Sequence, residues 1–489
     1  MREGAKAWAL VELGDLVRVR RQRVDPQEYP EMPFIGMENV EAHTMRLLGT
    51  IPAGTMRSAA THYVPGDVLY GRLRPYLNKV ISPPFEGLAS AEFIPLTPEP
   101  GVSTHFIRYR LNAADFVSFT SHLDEGDRPR VDFDGISTFK ISLPPSAEQR
   151  RIVEAIDSYI TRLDDAVASL ERVQAKLKRY RASVLKAAVE GRLVPTEAAI
   201  ARAEKRDYES AEDLLTRILE ERRRRWQEAG GRGKYKEPVS VDQDTSPVLP
   251  EGWTWASLDQ LTSLITSGSR GWAEYYAEEG AIFIRAQDIK TDALVAAKLA
   301  HVSPPKGAEG ARTSVQLLDL LVTITGANVT KAALVEYSLG EAYVSQHVGL
   351  CRPVLSESCR YLHLYTVCPS AGRRYLEKAA YGAGKPGLNL DNLRELVVAL
   401  PPLKEQTRIV EQCAALLSVN DNLDEVVRVN IRRASRLRQA VLKWAFEGKL
   451  ADQDASEDPA EELVTRIRSQ RASESGSTPR RKGKAKGAP

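Results

Sequence analysis

Cysteine is scarce in this chain: Cys351, Cys359, Cys368 and Cys413 are the four in 489 residues, all in the second half and none in a C-x-x-C pair. That pattern argues against a zinc site or a disulfide framework and for buried free thiols. No apolar run approaches the roughly 20 residues that a membrane-spanning helix needs. Met1 to Leu10 carries charges where a secretory leader would hold a long apolar stretch, so the expectation is a cytoplasmic protein without a membrane partner. Seven histidines are scattered without metal-ligand spacing, and no Ser-His-Asp set can be argued, so neither a metal nor a catalytic residue is expected. Excess charge of one sign is also lacking: the net charge of +3 permits nucleic acid as a partner without establishing it.

What the chain has is a long repeat. Leu143-Pro144-Pro145, Glu148-Gln149, Arg151 to Glu154, Leu185-Lys186, Glu190-Gly191 and Leu193 return at Leu400-Pro401-Pro402, Glu405-Gln406, Arg408 to Glu411, Leu442-Lys443, Glu447-Gly448 and Leu450, each shifted by 257 residues (400 − 143). A duplicated element with dissimilar sequence between its copies describes a molecule with pseudo-twofold symmetry.

In the first copy Ile152, Ile156, Tyr159, Leu163, Ala166, Leu170, Val173, Leu177, Tyr180, Val184 and Ala187 step alternately by four and three, the seam of a coiled coil. The second copy has Ile409, Cys413, Leu416, Asn420, Leu423, Val427, Asn430, Ala434, Leu437, Val441 and Trp444, with the two asparagines as register-setting polar positions. Pro144 and Pro145 stop the preceding segment, Ser146 with Gln149 reads as a capping box, and Gly191 suits a left-handed residue past the helix end. Each stripe has one obvious mate in the same chain, so the helices are expected to pair with each other. The other reading packs each on its own globular domain.

Ala211 to Ile218 resembles Ala460 to Ile467, and in the first copy a basic run, Arg222 to Arg225, leads into a polar stretch up to Pro250. Before the helices the similarity is faint: Trp8 to Leu16 against Trp253 to Leu261, Phe34-Ile35 against Phe283-Ile284, Asp67-Val68-Leu69 against Asp319-Leu320-Leu321, Lys79 against Lys331, Arg128-Pro129 against Lys385-Pro386. Short β-rich runs broken by Gly and Pro suggest mixed α/β domains. The expected class is α+β, two mixed α/β domains separated by two long helices that form an intramolecular antiparallel coiled coil. The boundaries are 1–142 for the first recognition domain, 143–193 for the first helix, 194–250 for a helical and basic linker and 251–399 for the second recognition domain. The second helix takes 400–450, a short helix 451–472 and a disordered basic tail 473–489.

This order, with Leu-Pro-Pro-x-x-Glu-Gln opening each long helix and Glu-Gly-Arg-Leu or Glu-Gly-Lys-Leu closing it, resembles the DNA-specificity subunit of type I restriction-modification systems over nearly the whole chain. The resemblance implies a subunit without its own catalysis or cofactor. Each target-recognition domain would read one half of a split sequence in double-stranded DNA, and the antiparallel helices would act as a spacer. Two modification subunits that methylate adenine with S-adenosylmethionine, and two restriction subunits that translocate and cut DNA with ATP, would be its partners.

The nearest enzymatic rival is a methyltransferase. Ser82-Pro83-Pro84-Phe85 fits that class's active-site loop, yet Tyr381-Gly382-Ala383-Gly384 follows no clear strand and supplies no cofactor loop, so a turn between strands is the better reading. Gly384-Lys385-Pro386 lacks the Ser or Thr of a P-loop, and Asp124-Glu125-Gly126-Asp127 reads as a solvated loop.

Phosphates call for Lys and Arg on exposed loops, and base identity for bidentate Arg, Asn or Gln. In the first domain Arg72, Arg74, Lys79, Arg128 and Arg130 are the DNA-binding candidates, and in the second Arg285, Gln287, Lys331, Gln346, His347, Lys385 and Asn389. Each competes with an ordinary surface or capping role. Two further readings stay open: a scaffold that grips proteins and ignores DNA, and a methylation-only specificity subunit without a restriction partner.

Overall fold

The repeated segments are two continuous helices, Ser146–Val189 and Leu403–Phe446, of 44 residues each. The computed structural model describes residues 7–124, 126–230, 233–242, 247–295, 297, 299–305, 311–382, 386–454 and 456–476. It divides into two units, Met1–Glu171 with Arg428–Pro489, and Arg172–Val427, so each unit holds part of both long helices.

In the first unit, strand Ala9–Glu12 pairs antiparallel with Lys140–Leu143 directly before the helix. A four-stranded antiparallel sheet runs in the order Val17–Val19, Phe93–Pro98, Val68–Gly71, Val80–Ile81. A five-stranded sheet is built around Gly87–Ala89, which lies antiparallel to Ala60–Tyr63 and parallel to Pro33–Ile35. The core joins Leu13, Leu16, Phe106, Ile107 and Phe116 to Ile152 and Ile156 of the first long helix, and to Leu442 and Ala445 of the second.

The second unit repeats the plan. Thr254–Ser257 pairs with Val397–Leu400, and the four-stranded sheet runs Thr262–Ser267, Val348–Pro353, Leu320–Thr323, Ala332–Leu334. Again one pair in the next sheet is parallel, Ala281–Ile284 with Ala342–Val344. The faint sequence similarity between the globular segments thus reflects one topology built twice.

The helix-entry motif owes its composition to buried polar groups. Gln149 and Gln406, both 0% exposed, donate from Nε2 to the carbonyls of Pro144 (3.0 Å) and Pro401 (2.9 Å). Glu148 and Glu405 accept the indole N–H of Trp8 and of Trp253, each at 2.9 Å, which ties each helix start to the strand that opens its unit. Burial raises both carboxyl groups above the usual carboxylate range. The capping-box reading of Ser146 and Gln149 is corrected: Ser146 Oγ donates to Gly101 O at 2.8 Å, while Gln149 is drawn inward by Pro144 O and by the Ser103 N–H at 2.8 Å. At the exits Gly191 (φ 67°) and Gly448 (φ 66°) are left-handed, and the amides of Arg192 and Lys449 reach back to Ala187 O and Trp444 O at 2.9 Å, closing Schellman caps.

Within each unit the two long helices meet in antiparallel sense. In the second unit Gln174 donates to Asp424 (3.2 Å) and Arg181 pairs with Asp421 (2.8 Å), while Arg408 of the second long helix pairs with Glu197 of the short helix Glu197–Glu204 (2.6 Å). In the first, Arg438 pairs with Asp164, while Arg151 of the first long helix pairs with Glu457 in the segment that follows the second (2.5 Å). Of the expected seam, Ile152, Ile156, Val184, Ile409, Asn420, Val427 and Val441 are buried, and Leu163, Leu170, Leu177, Leu416 and Asn430 half-buried. Leu423 (49% exposed), Leu437 (45%), Tyr159, Val173 and Tyr180 are not covered. At four of those five positions the covered residue is the next one along, Ile160, Gln174, Asp424 and Arg438; after Tyr180 the next residue, Arg181, is exposed too. Two adjacent stripes share every seventh residue, and the neighbouring structure decides which flank is shielded.

Helices Ala211–Glu228 and Ala460–Gly476 carry the weaker repeat, and both dock on a globular segment by one equivalent bond, Ala211 N–H to Gly252 O and Ala460 N–H to Ala7 O, each 2.9 Å. The second continues to Gly476, past residue 472, because Arg471 anchors it on Gly14 O (2.8 Å), Val17 O (3.0 Å) and Glu99. The tail from 477 lies outside the described residues. The basic run is not an open cation patch: Arg222 holds Thr262 O and the Tyr235 hydroxyl, Arg223 pairs with Glu237, Arg224 with Glu221 and Glu228, and Arg225 with Glu221. All four cysteines are free and buried, and burial pushes the Cys351, Cys359 and Cys413 thiols up to about 12. No described helix is long and apolar enough to cross a membrane.

Candidate nucleic-acid interface

In each unit the two inner strands of the four-stranded sheet end in a cluster of loops held by one hydrogen-bond frame. In the first unit the Arg72 N–H donates to Glu92 O (2.8 Å), Arg72 O accepts from Val131 (3.1 Å), and Leu73 bridges to Arg130. In the second the Ile324 N–H donates to His347 O (2.9 Å), Ile324 O accepts from Leu388 (2.7 Å), and Thr325 bridges to Gly387. The strands then return the same way, Gly71 N–H to Lys79 O and Thr323 N–H to Lys331 O, both 2.8 Å. This frame gathers residues 72–79 with 128–131, and 324–331 with 345–347 and 386–389, although they are far apart in sequence.

A buried carboxylate supports each frame. Asp67 (0% exposed) accepts from Val64 N–H (3.0 Å) and pairs with Arg20 at 2.7 Å, and Asp319 (1%) accepts from Gln316 N–H (2.7 Å) and pairs with Arg352 at 2.8 Å. The arginine follows the edge strand Val17–Val19 in one unit and lies in the inner strand Val348–Pro353 in the other, so the charge is matched while its source differs. Asp67 keeps the Arg20 guanidinium protonated, its hydrogen bond outweighing the cost of burial; for Asp319 burial wins and the carboxyl titrates above its ordinary range.

The candidates separate by what their side chains already hold. Arg74 and Arg128 are exposed, and neither has a side-chain partner among the described residues. Arg72 is half-buried with an unpartnered Nε, at a cleft of about 290 Å³ also lined by Arg20, Arg21, Arg23 and Phe133. Arg130 is exposed and paired with Glu92 at 2.5 Å. Lys79 is spent on the fold, its Nζ donating to Met37 O at 2.6 Å. In the second unit Gln346 and His347 are exposed and joined at 3.2 Å, and His347 also meets the Thr325 hydroxyl. Lys331 is half-buried at the loop's end. Arg285 is held by Asp288 at 2.9 and 3.0 Å and sits beside exposed Gln287 at a cleft of about 550 Å³ that Lys290 shares. Asn389 caps helix Leu390–Arg394, accepting from Asn392 N–H at 2.7 Å. Lys385 lies outside the described residues, as does Glu125 of the acidic loop; Ser82 to Phe85 connects strands Val80–Ile81 and Gly87–Ala89.

Sequence reasoning passed over Arg21, Arg23 and Thr325. The two arginines had a signal, since Val17-Arg18-Val19-Arg20-Arg21-Gln22-Arg23 is dense in cations at a strand end; Thr325 had none, because only the fold sets it against His347. A concave surface with cations lacking acidic partners suits phosphates, and hydroxyl, amide and imidazole groups on rigid loops suit base edges.

Comparison with known proteins places most of the chain. The model of the type I restriction modification DNA specificity domain matches residues 5–173 and 315–425. The EcoBI specificity subunit of Escherichia coli is 27% identical over 360 residues, 70% of this chain and 66% of that protein. The EcoDI subunit of the same species is 24% identical, covering 46% of this chain and 50% of its own, so the chain spans from half to just under two thirds of these two relatives. The StySPI specificity subunit of Salmonella potsdam is 24% identical over 82% of this chain and 78% of its own. A solved structure, described as the basis of complex assembly and conformational transition of the type I R-M system, shares the fold at a TM-score of 0.64 and 18% identity, covering 92% of this chain and 100% of that one.

Proposed function

The chain belongs to the type I restriction-modification DNA specificity family, and from that premise we propose that it reads the two halves of a bipartite duplex target, one with each unit's loop cluster. The observation that carries the reading is the duplicated frame: identical backbone hydrogen bonds present Arg72, Arg74 and Arg128 in one unit and Thr325, Gln346 and His347 in the other. Two equal scaffolds with unlike tips are what two unlike half-sites require, since phosphate contacts set register and side chains at the groove set sequence. The long helices act as the spacer between the readers, so that half-site separation is a property of the helices and not of the loops. The chain contributes binding and geometry, while adenine-methylating modification subunits and ATP-driven restriction subunits assemble on it and supply the chemistry.

Genome-wide mapping of adenine methylation in the native host, with and without this chain, tests the proposal. A split motif whose modification disappears on deletion is the expected result. Unchanged methylation at every site would refute it.

A further inference from the structure

Between strands Val68–Gly71 and Val80–Ile81, and between Leu320–Thr323 and Ala332–Leu334, the connections have equal length, each residue lying 252 positions from its counterpart (331 − 79). The backbone matches as well. The first connection turns through left-handed residues at Arg74 (φ 51°) and Asn78 (φ 42°), and the second through Gly326 (φ 100°) and Thr330 (φ 72°). The turn therefore demands a left-handed residue at its opening position, which glycine meets without strain and any other residue meets at a cost.

The second unit uses glycine there, and a Cβ on Gly326 would meet nothing within 4 Å, so the position faces open space. At the corresponding point the first unit carries an arginine. Its N–H is fixed on Pro129 O at 2.8 Å, while its guanidinium is exposed and has no partner among the described residues. The side chain does nothing for the loop that glycine would not do better. Strain kept for a free guanidinium on a fixed backbone points to a ligand, and the fork of donors matches guanine O6 and N7 in the major groove.

We propose that Arg74 reads a guanine in the half-site of the first unit, a contact that the second unit lacks because Gly326 stands in its place. The inference rests on the DNA-reading function proposed above and adds the base and the residue. Arg74→Gly imposes on the first loop the residue that the second already uses in the same conformation, so the fold is kept and the contact removed.

The test replaces the chromosomal copy with Arg74→Gly in the native host and maps adenine methylation, beside thermal melting of the purified full chain. The expected result is a melting temperature no lower than that of the parent, and a methylated motif that loses about 5- to 150-fold selectivity at one guanine. Every other position of that half, and all of the other half, keep their preference. An unchanged motif overturns the inference. So does uniform weakening over all sequences, which marks a phosphate contact, and so does loss of methylation at every site with melting intact, because one base contact does not hold the whole duplex. If Arg74→Gly melts lower, Arg74→Asn, which also tolerates the left-handed region, is mapped by the same criteria. Failure of the broader function shows separately, as methylation that survives deletion of the parent chain.

Discussion

Gln149 and Gln406 occupy the same place in identical motifs, yet their removal should have unequal consequences. In Gln149→Ala two backbone groups lose their partners, the buried Pro144 O (3.0 Å) and the half-buried Ser103 N–H (2.8 Å). In Gln406→Ala only Pro401 O is orphaned, and the buried Oε1 of Gln406, which has no partner among the described residues, goes with the side chain. An unsatisfied buried polar group costs about 1–3 kcal/mol. The first substitution therefore loses at least about 1–3 kcal/mol for Pro144 O, with a smaller addition for the half-buried Ser103 N–H, while the second creates one such cost and removes another and comes out near zero. Lost packing is alike in both, since both side chains are fully buried, and cancels in the comparison. Equilibrium urea unfolding followed by peptide-level hydrogen exchange separates the two units, with residues 101–106 reporting on the first. A midpoint that falls markedly for the unit holding Gln149→Ala and little for the unit holding Gln406→Ala is expected. Equal shifts, or the larger shift in Gln406→Ala, would refute the reasoning.

The corrected helix register gives a contrast within one expected seam: Ile156→Ala, at 0% exposure, should cost about 2–5 kcal/mol, whereas Leu423→Ala, at 49%, should stay within about 0.5 kcal/mol by urea denaturation. Glu405 carries a pH signature. Burial raises its folded pKa above the ordinary value of 4.5, so its contribution is fully present below the unfolded pKa and is lost as pH rises through the folded one; relative to Glu405→Gln, the parent should gain stability on acidification from pH 7 through that window, and a pH-independent difference would contradict it. Arg23→Ala should weaken duplex binding evenly over sequences and lower the salt slope by about one, whereas Arg128→Ala should act on one half-site alone. Binding isotherms at several salt concentrations and methylation maps, respectively, tell these apart.

Local chemistry is what made part of this legible. The two helices could be read from their periodicity, their Pro-Pro entries and the glycines that close them, because a helix end is satisfied by residues within one turn of it. Trp8 and Trp253 were visible as a repeated pair, and Glu148 and Glu405 as another, but nothing in the order of residues said that each tryptophan would donate to its glutamate, about 140 to 150 positions away. Among the candidate DNA contacts, Arg72, Arg74 and Arg128 were named from the sequence alone, and the fold brings them into one cluster. Lys79, Arg285 and Asn389 matched the same residue types, yet hold Met37 O, Asp288 and a helix cap.

The sequence by itself determined that the molecule is built twice, where its long helices begin and end, and which faint pairs of residues correspond between the globular segments. Those features depend on steric and hydrogen-bonding preferences that act over a few residues. Tertiary structure alone decided which flank of each helix is covered, whether a cation is spent on a carboxylate or left free, and that the helix Ala460–Gly476 completes the N-terminal segment through Ala7 and Gly14. Such outcomes depend on which surfaces approach in space, since shielding and the pairing of a charge are properties of a neighbourhood and no single stretch of chain contains it.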